Sequence, residues 1–364
     1  MADRRWVDVG AASELRNTPV TRVEADGLAL ALSFADEAFA AVSARCVHKG
    51  GPLDGGTLEG GCLVCPWHQW KYDRMTGRHQ GSPAAVAAYD VEVRDGRVLV
   101  DVLPSRSEAV TETAMHPLER PIVREAGPVR VAGISTTVMN RDVPRYSTSE
   151  RLLSVALDHA ASALGAETRL LKLNDLRFRN CEGYYSKSAQ SCTWPCTITQ
   201  ADPADQMQQV YEALVFWADL VVLATPIRWG NASSLFYKMA ERMNCIQNQI
   251  TINDRVLIRN KVATFIITGG QDNIQGVAGQ LLTFFSEVGF HFPQFPFIAH
   301  SRGWDAEDME RNMDAVEHSE DLREGARQLV TRGVETARLL LGQGAGVEST
   351  PRGGRKASPL RMAR

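Results

Sequence analysis

Cys46-Val-His48-Lys-Gly-Gly-Pro-Leu53 and Cys65-Pro-Trp-His68-Gln-Trp-Lys-Tyr-Asp73 decide the fold of the N-terminal part of the chain. Sixteen residues separate His48 from Cys65, and each half of the pattern offers one thiol and one imidazole. Two thiolates and two neutral imidazoles suit a two-iron, two-sulfide cluster. The thiolates hold one iron and the imidazoles the other, which raises the potential above that of an all-cysteine cluster. Zinc is the competing reading, since it too is held by two Cys and two His. Zinc fingers, however, usually pair Cys with Cys and His with His at short spacing. The mixed pairs here fit the two-iron geometry instead. Gly50, Gly51 and Pro52 allow the tight bend that brings backbone amides up to the sulfides. Cys62, three residues before Cys65, imitates a redox CxxC pair but reads as a buried strand thiol.

Outward from these loops, residues 5–103 read as all-β. Leu28-Ala-Leu-Ala-Leu, Cys62-Leu-Val-Cys and Arg97-Val-Leu-Val-Asp-Val are short apolar runs parted by Gly, Asp and Pro. Asp95-Gly96 sits between two alternating runs and predicts a hairpin. We set the first domain at 1–103 and a linker at 104–128, where Pro104, Pro117, Pro121 and Pro128 occur among Ser, Glu and Arg. From Val129 strands alternate with helices. Strands are expected near 129–134, 168–173, 220–225, 262–268 and 295–300. Helices are expected near 147–164, 204–217, 232–247, 276–288 and 306–341. Ser147-Thr-Ser-Glu150 opens the first helix with a capping-box pattern, and Leu153, Leu157, Ala160, Ala161 and Leu164 recur behind it. Such alternation predicts an α/β domain over 129–341: a doubly wound, parallel, five-stranded sheet. Residues 342–364 lack periodicity and read as a disordered tail. The fold class is thus multidomain, all-β followed by α/β.

A doubly wound sheet binds its ligand beyond the carboxyl ends of its strands, where strand order reverses. Three loops fall there. The first holds Ser135, Thr136, Thr137, Arg141, Arg145, Ser147, Thr148 and Ser149, hydroxyls and amides that fit a phosphate at a helix N-terminus. Plain helix capping by Ser147 and Glu150 is the alternative. The second is Thr225-Pro226-Ile227-Arg228-Trp229-Gly230-Asn231, in which Pro226 and Gly230 set the backbone path and Trp229 can lie against a flat ring. The third is Thr268-Gly269-Gly270-Gln271-Asp272, either a close approach to a ligand or a helix-capping turn.

The two Cys/His loops, with Thr76-Gly77 downstream, resemble the Rieske family. Its respiratory members add a disulfide whose cysteines would fall at Gly51 and Trp67 here, so the resemblance is to the soluble ferredoxin and oxygenase-type branch. It implies cluster ligands Cys46, His48, Cys65 and His68, a potential toward the low end of the range, and electron exchange at the two histidines. An oxygenase centre on the same chain would need two His and a carboxylate. The remaining histidines, at 79, 116, 159, 291, 300 and 318, form no close pair on one helix.

Residues 129–300 resemble the flavodoxin-like NAD(P)H-dependent FMN reductases, including iron–sulfur flavoproteins. The likeness rests on Thr225-Pro-Ile-Arg-Trp-Gly and Ser233-Ser-Leu-Phe-Tyr-Lys-Met-Ala-Glu-Arg-Met. It implies FMN phosphate on Ser135, Ser147, Thr148 and Ser149, with the ring against Thr225 to Asn231 and Thr268, Gly269 and Gly270. It also implies a homodimer. Two features depart from the pattern: Met139–Pro144 lengthens the phosphate loop, and Arg228 stands where Tyr is common. No Gly-x-Gly-x-x-Gly follows a strand, so a separate nicotinamide domain is not expected, and NAD(P)H would stack on the flavin. Cys181, Cys192 and Cys196 fall where iron–sulfur flavoproteins carry four cysteines for a 4Fe–4S cluster. Three cysteines are too few as a rule, so buried thiols or a redox pair are the preferred readings, with Cys245 far along the chain.

Composition adds limits. With 44% hydrophobic and 23% charged residues and a net charge of −3, nothing points to nucleic acid or a membrane surface. The first residues carry no apolar run of a secretory signal, and no stretch of about 18 apolar residues could span a bilayer. Cysteines grouped with histidines suit a reducing compartment, and the cytoplasm is expected. The functional expectation is an NAD(P)H-dependent flavoprotein oxidoreductase passing electrons between FMN and the 2Fe–2S cluster, with a redox protein or small molecule as acceptor. A non-catalytic carrier serving a separate oxygenase or reductase, and a flavin-site reductase of quinones or nitro compounds, are the alternatives.

Overall fold

The computed structural model describes residues 4–81, 83–108, 116–186, 191–202, 204–269, 273–301 and 306–342, with side chains of the last segment from 311. Gly270, residues 109–115 of the linker and the tail from 343 lie outside the described residues. The chain forms two units, Met1–Pro117 with Gly183–Cys192, and Leu118–Glu182 with Thr193–Arg364.

In the first unit β1 (Trp6–Ala11) runs into a single helical turn, α1 (Ala12–Leu15). Strands β2 (Val20–Ala25), β3 (Leu28–Ala35) and β4 (Ala38–Ser43) follow. Three short strands come next, β5 (Thr57–Glu59), β6 (Cys62–Val64) and β7 (Lys71–Asp73), then β8 (Ala88–Arg94) and β9 (Arg97–Arg106). A six-stranded antiparallel sheet has the order β1-β9-β8-β4-β3-β2, and β5-β6-β7 form a second, smaller sheet. The hairpin at Asp95-Gly96 is present: both residues are left-handed, at φ +50° and +76°, and Arg94 pairs with Arg97. Side chains alternate across β3, so both faces of the large sheet are used. Leu30 and Leu32 enter one core with Val98 and Val100, whereas Ala31 enters another with Cys46, Cys65 and Tyr72. Strand β9 continues past residue 103, and Pro104 pairs with Tyr89 where the register shifts. A bulge is a place where a ladder tolerates proline, which is why Pro104 does not end the strand.

The second unit holds β10 (Arg130–Ser135), β11 (Glu167–Lys172), β12 (Leu220–Pro226), β13 (Val262–Gly269) and β14 (Phe297–Ser301). They pair in parallel in the order β11-β10-β12-β13-β14. This is the flavodoxin-like doubly wound sheet that the alternation predicts. The chain leaves β10 to either side, so the crevice opens beyond Ser135 and Pro226.

Helix α2 (Thr148–Ser162) begins at Ser147, whose hydroxyl accepts from the Glu150 amide. It buries Leu152, Leu153, Ala156, Leu157 and Ala160, while Ala161 is exposed and Leu164 half-buried. The inward stripe therefore keeps the expected Leu153, Leu157 and Ala160, adds Leu152 and Ala156, and leaves out Ala161, which is about 100° around the helix from Ala160. Gly133 lets α2 approach β10, since a Cβ there would come within 2.6 Å of Leu157. Two short helices follow β11, α3 (Thr197–Ala201) and α4 (Met207–Tyr211), the latter widening into a π turn over Glu212–Trp217. The helix expected at 232–247 is two, α5 (Ser234–Arg242) and α6 (Asn244–Asn253). The Arg242 carbonyl accepts from the Tyr211 hydroxyl at 2.7 Å and from the Cys245 thiol at 3.4 Å, which draws it out of the helical ladder. Helix α7 (Ile274–Val288) lays Phe285 on Phe265, and the C-terminal stretch divides into α8 (Ala306–His318) and α9 (Glu320–Gly342). Helices α2 and α9 share the other face with Val131, Val222 and Ile266.

Candidate cofactor sites

In the first unit both Cys/His loops turn in the same way. The Cys46 amide donates to Gly51 O and the Gly50 amide to Cys46 O, at 2.8 and 2.9 Å. The Cys65 amide donates to Trp70 O and the Gln69 amide to Cys65 O, at 2.8 and 3.0 Å. Each loop has a left-handed residue four positions after its cysteine: Gly50 at φ +74° and Gln69 at +59°. The repeated turn brings the thiols together as one hydrogen-bonded pair and the imidazoles as another, with ring centroids 4.7 Å apart. Among the described residues no three such side chains gather as around one metal ion. Two pairs are what two irons need. Gly51 confirms the close fit, since a Cβ there would lie 2.8 Å from Cys65 Sγ and 3.3 Å from the Trp67 ring.

The electrostatics suit ligation. Cys46 is held down to about 7, chiefly by the hydrogen bond from Cys65, with the Tyr72 hydroxyl helping against burial. The shared hydrogen bond and burial push Cys65 upward. Burial, then the His48 and Lys49 charges, lower His68 to about 3, leaving its ring neutral as a ligand must be. His68 is buried, His48 half-buried and stacked flat on Trp70 at 4.4 Å. Of the two rings expected to exchange electrons, His48 is the more accessible. Tyr72 Oη lies 3.1 Å from Cys46 Sγ in the buried core. Sequence reasoning passed over this contact although Tyr72 stands within the quoted motif. Cys62 is a buried strand thiol on β6.

In the second unit the three loops are tied to one another. Thr148 Oγ1 and Thr268 Oγ1 lie 2.7 Å apart, the Ile227 amide donates to Thr268 O at 2.7 Å, and Ser233 Oγ donates to Thr136 O at 2.5 Å. At the start of α2, Thr137, Ser147 and Ser149 form a hydroxyl cluster with contacts of 2.8, 3.2 and 3.3 Å. Hydroxyls and free amides at the N-terminus of a fifteen-residue helix can hold a phosphate. Ser135 is engaged differently: its hydroxyl donates to Glu150 Oε2 at 2.9 Å, and Glu150 pairs with Lys172. Thr137 takes the place beside Ser147 and Ser149, a difference that only the turn of the loop decides.

The second loop is a tight hairpin. Arg228 and Asn231 exchange backbone hydrogen bonds at 2.7 and 2.9 Å, around Trp229 at φ +51° and Gly230 at +70°. Trp229 is 89% exposed at its tip, so its ring is available to a ligand. Pro226 is half-buried and Arg228 exposed, whereas Thr225 and Ile227 are buried in the scaffold, where Thr225 Oγ1 accepts from the Ser233 amide at 3.2 Å. Gly269 must be small, since a Cβ would lie 2.7 Å from Ile227 Cβ. Two supports carry no motif and were missed from sequence: Asn273 Nδ2 donates to Gly230 O at 2.6 Å, and Asn312 Nδ2 to Gly269 O at 3.1 Å. Cys181 and Cys192 are half-buried. Cys196 and Cys245 are buried, and the Cys245 thiol donates to Arg242 O at 3.4 Å.

Fold and sites define a two-domain redox protein, a cluster-binding β domain joined to a flavin-binding α/β domain. The Rieske [2Fe-2S] domain family matches residues 5–100, and the family described as NADPH-dependent FMN reductase matches residues 130–305. The chain belongs to the Rieske family through its first domain and carries an FMN-reductase oxidoreductase domain after it. The cofactors of these domains are a Rieske 2Fe–2S cluster, FMN and NAD(P)H. Ferredoxin CarAc of Metapseudomonas resinovorans is 35% identical over 98 residues, 26% of this chain and 92% of its own length. The ferredoxin component of the naphthalene 1,2-dioxygenase system of Pseudomonas aeruginosa is 31% identical over 100 residues, 27% of this chain and 96% of its own. Among solved structures, RosB with bound 8-demethyl-8-formylriboflavin-5'-phosphate aligns at a TM-score of 0.48 and 19% identity, covering 65% of this chain and 86% of its own. No helix among the described residues is long and apolar enough to cross a membrane.

Proposed function

We propose that this protein is an NAD(P)H-dependent flavoprotein oxidoreductase in which FMN and a Rieske cluster exchange electrons. The observation that carries the reading is the presence on one chain of the paired thiol–imidazole site and the hydroxyl-lined crevice beyond β10 and β12. Cys46 and Cys65 hold one iron, His48 and His68 the other, and half-buried His48 is the contact for a redox partner or small acceptor. Thr137, Ser147, Thr148 and Ser149, with the α2 amides, hold the FMN phosphate, while Ser135 fixes Glu150 beside them. Pro226 to Asn231 with Thr268 and Gly269 border the ring, with Arg228 supplying positive charge. A flavin takes up a hydride's two electrons and can release them singly, and a Rieske cluster carries one. A homodimer belongs to the same reading, and sedimentation of the holoprotein checks it.

Anaerobic titration with NADH and then NADPH, followed by visible absorption and EPR together, tests the proposal. Flavin bleaching accompanied by the rhombic signal of a reduced Rieske cluster is expected. The second reading is an electron carrier without nicotinamide activity, favoured by the likeness of residues 5–100 to ferredoxin components of dioxygenase systems. Bound flavin that stays oxidised with both nucleotides would support it and reject the first.

A further inference from the structure

At the amino-terminal ends of its strands the second unit holds a cavity of about 330 Å³, across the sheet from the crevice beyond Ser135 and Pro226. Asp219 stands directly before β12, Lys261 directly before β13, and Arg124 ahead of β10. Strand β12 alone, seven residues at roughly 3.3 Å each, sets the two ends about 20 Å apart. One wall is apolar: Phe216 and Leu257 are buried there, and Leu340 and Leu341 line it from the last turn of α9. The rest is basic, with Arg124, Arg255, Arg259 and Lys261 around a single carboxylate, Asp219. That carboxylate is already engaged. It accepts from Arg124 Nε and Nη2 at 2.7 and 2.8 Å and from the Arg130 amide at 2.9 Å. Arg255 and Arg259 are exposed, Arg259 Nε donates to Val256 O at 3.2 Å, and neither side chain pairs with a carboxylate among the described residues. Lys261 is only 8% exposed. Its ammonium has three donors, and Ala218 O is its one acceptor among the described residues. Burial lowers it to about 8, with Asp219 opposing and Arg124 and Arg130 adding to the effect. A buried ammonium with one carbonyl is short of partners, and an anion in the cavity would supply both charge and acceptors.

We propose that this cavity is a second ligand site, which takes a small organic carboxylate with an apolar body. The carboxylate meets Lys261 and Arg255, and the body lies against Phe216, Leu257, Leu340 and Leu341. A few polar anchors on an apolar wall are the usual build of a small-molecule site, and such cavities run from about 300 to 1,000 Å³. At the small end of that range, this one suits a single ring or a short branched chain. Inorganic phosphate would satisfy the cations and leave the apolar wall in water, and an uncharged ring would do the reverse. Binding here requires neither FMN, NAD(P)H nor electron flow to the cluster, so it stands apart from the function proposed above.

The test is calorimetric titration of the full-length holoprotein with benzoate, phenylacetate and hexanoate, and with benzyl alcohol and inorganic phosphate as controls. At least one of the three carboxylates should bind with one site per chain. Its affinity should exceed that of either control by at least about tenfold, and should fall by about tenfold or more in Arg255→Gln and in Lys261→Met. Flavin absorption and the Rieske EPR signal of both variants should match the wild type, because the site lies at the other end of the sheet. The proposal is overturned if no carboxylate saturates the protein at millimolar concentration, if a control binds as tightly, or if Arg255→Gln binds as the wild type does. Should Lys261→Met fail to fold, Arg255→Gln decides alone, since that exposed side chain has no carboxylate partner to lose among the described residues.

Discussion

Tyr72 touches a candidate cluster ligand without being one itself. Burial pushes its hydroxyl above the ordinary tyrosine range, so it stays protonated and can donate to Cys46 Sγ, 3.1 Å away, once that sulfur is a thiolate. A hydrogen bond to a ligand sulfur stabilises the more negative, reduced cluster. Tyr72→Phe keeps the ring packing and should lower the midpoint potential by on the order of tens of millivolts. An EPR-monitored redox titration checks this, and an unchanged midpoint would reject the role. Motif spacing identifies the candidate ligands because chemistry restricts their types. Tyr72 escaped notice because a tyrosine on a β strand is also ordinary core.

At the scale of the element, the break between α5 and α6 owes less to local propensity than to what Arg242 meets across the fold. Its side chain and Asp205 are both fully buried, and removing one partner of such a pair leaves an uncompensated charge. Arg242→Met should therefore cost about 3–5 kcal/mol of flavin-domain stability, measured by denaturant unfolding. Lys261, just before β13, carries a different cost. Burial pushes its ammonium down to about 8 from the ordinary 10.5, with Asp219 opposing and Arg124 and Arg130 assisting. A base with a lowered folded-state pKa is penalised while charged, and the penalty lifts as pH rises from about 8 to about 10.5. Any advantage of Lys261→Met over the wild type should thus shrink across that window, as melting at several pH values would show. The π turn at Glu212–Trp217 likewise left no trace in the apolar run that forms it, since burial is similar for α and π winding.

At the scale of the whole molecule, each unit has its own hydrophobic core and its own candidate cofactor site. Thr137→Val combined with Ser147→Ala should weaken FMN retention by at least about tenfold through two lost hydrogen bonds, and leave the Rieske EPR signal intact. His68→Ala should abolish that signal and leave FMN bound. Loss of both signals in either folded variant, read by EPR and flavin absorption, would reject independent sites. By itself the sequence determined the two fold types, the strand order of elements along the chain and the mixed Cys/His pattern. Local periodicity, turn residues and ligand chemistry are written in near neighbours, and these suffice for such features. Only the tertiary structure decided that Ser135 serves Glu150 while Thr137 joins the hydroxyl cluster, and that Asn273 and Asn312 brace the loops at Gly230 and Gly269. Each of those pairings joins residues through packing of separate elements, and distance along the chain carries no record of it.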